Sequence, residues 1–143
     1  MTTKSSGFTL IELLVVVAIL GIISAVGVVA YNGYITATKK KSAENMMQQI
    51  SLAETEEFSS YGSYYGGDSI CDVDTTDVDT TQDVGTNLFD SPNYIDTDKI
   101  GYYFCILADG SEYTVHAQSI KLDEDGNPEC NMTLDQSGNF TKC

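Results

Sequence analysis

The sequence is poor in positive charge. It contains seven lysines, no arginine and one histidine among 143 residues, and its 21 acidic residues bring the formal net charge to −14 at pH 7. Phosphate groups repel such a chain, which argues against a protein that binds nucleic acid through its overall charge. A hydrophobic content of 42% argues against disorder of the whole chain, and the length suits one domain.

Groups that catalysis and cofactor binding use are also scarce. His116 is the only histidine, and since it falls within a predicted strand with no cysteine or serine motif beside it, a packing role is favoured over a catalytic one. The chain has neither a phosphate-binding loop nor a dinucleotide-binding glycine pattern. We therefore expect a protein that is not an enzyme and that needs no cofactor.

The charged residues are unevenly distributed along the chain. Residues 1–41 contain four lysines and one glutamate, whereas residues 42–143 contain twenty acidic residues and three lysines, a net charge of −17. The first part also contains an apolar run of 23 residues, Phe8 to Ala30, whose single charge is Glu12. A helix of that length spans about 34 Å, enough to cross a hydrocarbon layer about 30 Å thick. We predict a membrane-spanning helix rather than a soluble core helix, because little apolar mass remains to surround it.

A short polar leader precedes the apolar run and ends at Gly7, and Phe8-Thr9-Leu10-Ile11-Glu12 follows at once. In a secretory signal the cleavage site comes after the apolar stretch instead. The junction G-F-T-L-I-E resembles the class III leader of bacterial type IV prepilins, with a type IVa-like major pilin as the expected kind, and of the related type II secretion pseudopilins. The resemblance implies that a prepilin peptidase cuts after Gly7, that the new amino terminus at Phe8 is methylated, and that the apolar helix is retained.

Glu12 places a carboxylate inside the apolar segment, where a charge costs about 2.5–3.5 kcal/mol at a helix centre. A partner is therefore expected. The resemblance implies that this partner is the amino group of Phe8 in a neighbouring subunit during filament assembly. The alternative is that Glu12 lies near the lipid headgroups, at little cost and with no role.

The apolar helix pattern continues beyond the membrane segment to about Phe58, with Gly62 as a plausible stop. Just beyond the membrane segment, Lys39-Lys40-Lys41 would meet lipid headgroups, acidic neighbouring subunits or only solvent. We accordingly divide the chain into four parts: the leader (1–7), the transmembrane or filament-core half of the helix (8–30), its outer half (31–61) and a globular head (62–143).

The first part of the head, residues 62–99, is a long connection rich in Gly, Asp, Thr and Tyr. Within it Asp72–Thr76 is repeated as Asp77–Thr81, and the alternating valines favour an exposed strand or solvated loop over a calcium site, because no EF-hand spacing is present. Asp123 and Asp125 are a second, weak calcium candidate, since a tight turn favours the same residues.

The second part of the head, residues 100–143, has the period-two pattern of strands. Asp109-Gly110 favours a type I′ turn, which predicts a hairpin between residues 101–108 and 111–120. A third and a fourth strand are expected at 131–134 and 139–142. One face of this three- or four-stranded antiparallel sheet should pack on the outer half of the helix. The result is an α+β fold, in agreement with the type IV pilin fold that the resemblance implies.

Four cysteines occur, all of them in the head, which suits an oxidising periplasm or cell surface. Four cysteines allow three pairings, and no C-x-x-C or histidine-containing metal pattern competes with disulfides. We favour Cys130–Cys143, which resembles the C-terminal loop staple of type IV pilins, together with Cys71–Cys105, which would tie the long connection to the sheet.

The resemblance implies a type IV pilus subunit whose mature chain, residues 8–143, polymerises into a homo-oligomeric surface filament for adhesion, twitching motility or DNA uptake. It further implies residence in the inner membrane before assembly, and dependence on prepilin peptidase, a platform protein and an assembly ATPase. Nucleic acid is not expected to bind the acidic head itself. The alternatives are a type II secretion pseudopilin and a minor or tip pilin that acts as a ligand-binding module.

Overall fold

The computed structural model describes residues 7–66, 77–109 and 111–143. The chain divides into two compact units, residues 1–38 and 39–143. In order along the chain, the elements are helices α1 (Leu10–Tyr61), α2 (Val78–Phe89) and α3 (Thr97–Ile100), and strands β1 (Tyr102–Ala108), β2 (Tyr113–Ser119), β3 (Asn131–Asp135) and β4 (Phe140–Thr141).

The first unit consists of the apolar half of α1. Its most apolar 18-residue window has a mean hydropathy of 3.0, and none of that window is buried. The large apolar side chains from Phe8 to Val29 are each 49–89% exposed. This part of α1 is therefore long and apolar enough to cross a membrane, as the sequence predicts, and its large apolar side chains are exposed in the described part of the chain.

Helix α1 ends where the sequence predicts. Tyr61 is its last residue, and Gly62 follows in the left-handed conformation with φ 77°. The N–H group of Gly62 donates to the carbonyl oxygen of Phe58 at 2.8 Å. Glycine suits this position because it has no Cβ to clash in the left-handed region.

The second unit contains a four-stranded antiparallel sheet in the order β1-β2-β3-β4, which confirms the α+β prediction. The core lies between this sheet and the outer part of α1. From α1 it takes the fully buried side chains Ala43, Met47 and Ile50, and from the sheet those of Phe104, Val115 and Met132. Burial of each large side chain contributes about 1.5–3 kcal/mol, so this seam is the main source of stability in the head.

The hairpin between β1 and β2 turns one residue later than predicted. The Asp109-Gly110 turn would place Ala108 opposite Ser111, whereas the observed register pairs Ala108 with Tyr113. Asp109 and Glu112 close the turn, and Asp109 Oδ1 accepts from the N–H groups of Ser111 at 3.3 Å and Glu112 at 3.0 Å. Asp109 therefore organises the turn from its first position instead of occupying its centre.

The described part of the long connection contains helix α2 and the start of α3, so the exposed strand or solvated loop expected for the second copy of the repeat is wrong. Asp77 is the N-cap of α2, and its side chain accepts from the N–H group of Thr80 at 3.0 Å. Asp77–Thr81, the second copy of the repeat, thus begins a helix rather than an exposed strand. The first copy, Asp72–Thr76, lies outside the described residues.

Helix α2 covers the open edge of the sheet through Thr81. The N–H group of Phe104 in β1 donates to Thr81 Oγ1 at 2.9 Å, and Thr81 Oγ1 lies 3.3 Å from the carbonyl oxygen of Phe104. Thr81 is 1% exposed. One buried hydroxyl group therefore satisfies both backbone groups of Phe104, at an edge where unpaired strand groups invite association with other chains.

Candidate functional site

The segment that precedes α1 contains the predicted processing site. Gly7, Phe8 and Thr9 come before the first helical residue, and all three are exposed. The Phe8 side chain is 89% exposed. The Gly7–Phe8 peptide bond therefore lies in non-helical chain at the start of an apolar rod, where a membrane-embedded peptidase would have to reach it.

Glu12 belongs to a capping box with Thr9. Its Oε2 atom accepts from the N–H group of Thr9 at 2.9 Å and from Thr9 Oγ1 at 2.7 Å. In return, the N–H group of Glu12 lies 3.3 Å from Thr9 Oγ1. This reciprocal pair satisfies backbone donors that a helix start leaves open, and the sequence pattern T-x-x-E carries the signal, which the sequence analysis missed.

The capping box also orients the Glu12 carboxylate. The described bonds that Glu12 accepts all end on Oε2, so Oε1 is the oxygen available to a further donor. A negative charge near a helix amino terminus is favoured by the helix dipole. The arrangement can thus hold a carboxylate in apolar surroundings and present one oxygen to a cation.

Two of the three lysines at 39–41 make polar contacts within the chain, Lys40 with the head and Lys41 with α1 itself. Lys40 Nζ donates to the carbonyl oxygen of Cys143 at 2.7 Å. Lys41 Nζ pairs with Glu44 at 2.7 Å, and Lys142 Nζ approaches the same carboxylate at 3.1 Å. These residues, Lys40, Lys41, Glu44, Lys142 and Cys143, form what we call the lysine clasp. Lys41, above all, and Lys142 hold the pKa of Glu44 below its usual value although the side chain is buried.

The predicted disulfide Cys130–Cys143 is present, with 5.3 Å between its Cα atoms and a sequence separation of 13. It holds Cys143 close to the start of β3, and the lysine clasp joins the same residue to α1. The second predicted pairing, Cys71–Cys105, involves Cys71, which lies outside the described residues. Cys105 is 1% exposed in the middle of β1, and the pairing stays a prediction.

The weak calcium candidates lie in a turn that the chain itself organises. Asp123 Oδ1 accepts from the N–H groups of Asp125 and Asn127, both at 2.9 Å. Asp135 does the same for Ser137 and Asn139. Within the described ranges, no group of three His, Cys, Asp or Glu residues could hold a metal ion. Calcium binding at Asp123 and Asp125 stays a prediction.

His116 lies in β2, opposite Cys105 of β1 and Thr133 of β3. Burial lowers the pKa of His116, so the imidazole is neutral at physiological pH. Its position in the middle of the sheet agrees with the packing role that the sequence analysis favoured.

The chain matches the family model described as "Prokaryotic N-terminal methylation motif" over residues 2–28. It is 36% identical over 76 residues to a fimbrial protein of Neisseria meningitidis serogroup B, which covers 53% of this chain and 45% of that protein. It is 54% identical over 54 residues to the type IV major fimbrial protein FimA of Dichelobacter nodosus, 38% of this chain and 30% of that one. With the type IV major pilin protein PilE1 of Neisseria gonorrhoeae, the identity is 38% over 64 residues, 45% and 39% of the two chains.

In each of these comparisons the matched region spans less than half the length of the curated relative. No solved structure matches the chain. The methylation motif falls on the leader and the apolar half of α1, and these relatives are named as type IV pilins or fimbrial proteins. The chain is thus similar to type IV pilins over part of its sequence, and it combines that similarity with a long α1 and a four-stranded antiparallel sheet.

Proposed function

We propose that this protein is the structural subunit of a type IV pilus and has no catalytic activity of its own. The precursor is cut between Gly7 and Phe8, Phe8 is methylated, and residues 8–30 hold the subunit in the inner membrane until it joins a surface filament of identical copies. The observation that carries this proposal is the methylation motif over residues 2–28, which coincides with an apolar helix whose most apolar 18-residue window is 0% buried among the described residues.

Assembly exchanges lipid for protein around α1. The exposed apolar side chains from Phe8 to Val29 pack against the same segment of neighbouring copies. Cleavage after Gly7 creates an ammonium group on Phe8, and this cation meets Glu12 of an adjacent copy. Away from water such a pair attracts far more strongly than it would in solution. The pair therefore sets the axial register of neighbouring subunits. The capping box with Thr9 holds the Glu12 carboxylate in a fixed orientation for this contact.

The machinery that processes and moves the subunit acts in trans. We expect prepilin peptidase, a platform protein and an assembly ATPase as partners, since the chain has no nucleotide-binding pattern. The head, residues 62–143, contains sixteen acidic residues and three lysines, a net charge of −13; it covers the outside of the filament and keeps it soluble. Adhesion and twitching motility suit such a surface better than direct DNA binding does. The relatives' names do not favour the pseudopilin and tip-pilin alternatives.

The Glu12→Gln variant tests the assembly step. The amide keeps the size and the hydrogen bonds of the side chain but removes its charge, so we expect the subunit to accumulate in the inner membrane while sheared filaments are lost. Subunit in filament and membrane fractions is measured by immunoblot, and the mass of the amino-terminal peptide reports whether a methylated Phe8 is present. Glu56→Gln, which removes a carboxylate from an exposed position of the same helix, is the control and should assemble normally.

Two results would contradict the proposal. Filaments of Glu12→Gln in normal amounts would show that the charge pair does not drive assembly. Functional protein that still begins with residues 1–7 would show that the leader is not processed, and the pilin mechanism would not apply.

A further inference from the structure

Glu54 is a carboxyl group in the middle of the head core. It lies on α1 four residues after Ile50 and seven after Met47, on the face that packs against the sheet, and its side chain is 0% exposed. Oε2 accepts from the backbone N–H group of Tyr65 at 2.9 Å. Oε1 is buried and has no hydrogen-bond partner among residues 7–66, 77–109 and 111–143. The helix pattern predicts an apolar residue at this position. The position is instead occupied by a carboxyl group that accepts one hydrogen bond, from Tyr65, among the described residues.

The groups around Glu54 do not neutralise it. Glu57, almost one turn further along α1, disfavours the ionised form, and Tyr65 donates its backbone N–H group. Two tyrosine rings of the described chain belong to the same region: Tyr64 packs on Tyr113, and Tyr113 is bonded to Ser51, almost one turn before Glu54. No described lysine compensates, since each contacts another part of the chain: Lys39 packs on Gly101, Lys40 binds Cys143, Lys41 and Lys142 bind Glu44, Lys99 binds Asp96 and Lys121 binds Glu129.

The bond from Tyr65 to Glu54 fixes the segment that leaves α1, residues 62–66, which we call the junction. Within the junction, the Tyr64 ring lies between Phe58 and Tyr113, with centroid distances of 4.5 and 4.7 Å. The hydroxyl group of Tyr65 accepts from Asn87 in α2 at 3.0 Å. Gly66 lies so close to Ala108 that a Cβ atom there would overlap it. One carboxyl group therefore anchors the place where α1, α2 and the end of β1 meet.

We propose that Glu54 is a proton-dependent latch: protonated, it keeps the junction docked on the head, and ionised, it releases the junction. The neutral acid tolerates burial with one hydrogen bond, whereas a buried carboxylate needs charge compensation or water. Water can reach Glu54 only if the junction moves, because the side chain is fully buried. The device acts within one head and does not depend on filament formation.

The direction of the pH effect follows from the raised pKa. Burial, and to a lesser degree Glu57, raises the pKa of Glu54 from 4.5 to about 7. Between pH 4.5 and about pH 7, Glu54 therefore keeps its proton in the docked state and loses it in the released state. Docking of the junction is strongest below pH 4.5, the ordinary pKa of a glutamate side chain, and weakens as the pH rises towards and through 7.

Hydrogen exchange of the Tyr65 amide measures the latch in the full chain held in detergent micelles. After correction for intrinsic exchange, we expect its protection to fall about tenfold or more between about pH 5 and about pH 8.5, because opening is linked to one proton. In Glu54→Gln the protection should change less than about twofold, since the neutral amide cannot ionise. Glu56→Gln removes an exposed carboxylate two residues away and should retain the wild-type fall.

The amide of Val115, at the centre of the sheet, separates the latch from global unfolding. Its protection should stay constant over the same range, and a parallel fall at Val115 and Tyr65 would overturn the latch. Equal pH dependence in wild type and Glu54→Gln would overturn it as well. If Glu54→Gln does not fold, the ¹³C carboxyl signal of wild-type Glu54 decides: titration near pH 7 together with the Tyr65 amide supports the latch, and titration near 4.5 overturns it.

Discussion

Two threonines complete backbone hydrogen bonding that the regular elements leave open. Thr9 closes the capping box at the start of α1, and Thr81 bonds both backbone groups of Phe104 at the edge of β1. The first contact spans three residues and is visible as T-x-x-E. The second joins residues 23 positions apart, and nothing in the sequence around Thr81 distinguishes it from its half-buried neighbour Thr80.

Replacing Thr81 by valine should destabilise the head. Valine has the same shape, but it leaves the buried N–H group of Phe104 without an acceptor, which costs about 1–3 kcal/mol. The free energy of unfolding is measured by guanidinium denaturation of the full chain in micelles, followed by tyrosine circular dichroism. Thr86→Val, on the exposed side of α2, is the matched control and should change stability by less than about 0.5 kcal/mol. Equal losses in the two variants would contradict the edge-capping role.

At the scale of elements, the observed helix end and strands agree with the sequence prediction where the prediction rests on patterns among neighbouring residues. Helix α1 ends at the predicted glycine, and β1 to β4 fall on the predicted period-two segments. Helix α2 was missed because its D-V-D-T-T start consists of poor helix formers with a strand-like alternation. What makes it a helix is the Asp77 cap together with the burial of Thr81 and Val84 against the rest of the head.

Gly62→Ala should weaken the end of α1. The position has φ 77°, and an L-residue with a Cβ atom pays about 1–2 kcal/mol there. Gly62→Asn should lose about half as much, because asparagine tolerates the left-handed region better. No neighbouring atom lies within 4 Å of a Cβ atom at Gly62, so the loss reports backbone conformation alone.

Denaturation midpoints compare these variants with Ser60→Ala, an exposed change in the last turn of α1 that should be neutral. An alanine variant as stable as wild type would show that the left-handed stop does not hold the helix end.

At the scale of the whole molecule, Cys143 and its neighbour Lys142 are tied to earlier parts of the chain in two ways. The Cys130–Cys143 disulfide holds this end of the chain to the sheet, and the lysine clasp joins it to a helix more than a hundred residues earlier. Lysines that resemble a membrane-facing cluster in the sequence therefore serve the internal structure of the head. This is a use of charge that composition does not reveal.

Removing the Cys130–Cys143 disulfide should lower the free energy of unfolding more than removing any single contact of the lysine clasp does. In Cys130→Ser combined with Cys143→Ser, we expect a loss of about 2–4 kcal/mol in the free energy of unfolding, since the open chain regains conformational freedom. Lys142→Met, which removes one partly exposed ion pair, should cost no more than about 1 kcal/mol. Both are measured by guanidinium denaturation without reductant. A double serine variant as stable as Lys142→Met would show that the lysine clasp alone holds the C-terminal end.

Family resemblance pointed to the Cys130–Cys143 pairing, which the structure contains, and to the leader junction at Gly7 and Phe8, which stays a prediction. The sequence by itself determined the apolar rod and the four strands. These follow from periodicity, residue type and short motifs, which operate over a few residues. Only the tertiary structure decided that the β1–β2 turn is shifted, that α2 covers the sheet edge, that Lys40 reaches Cys143 and that Glu54 is buried. Each of these depends on which surfaces meet when distant segments pack, and a charged residue at a core position gives no local sign of whether its surroundings will neutralise it.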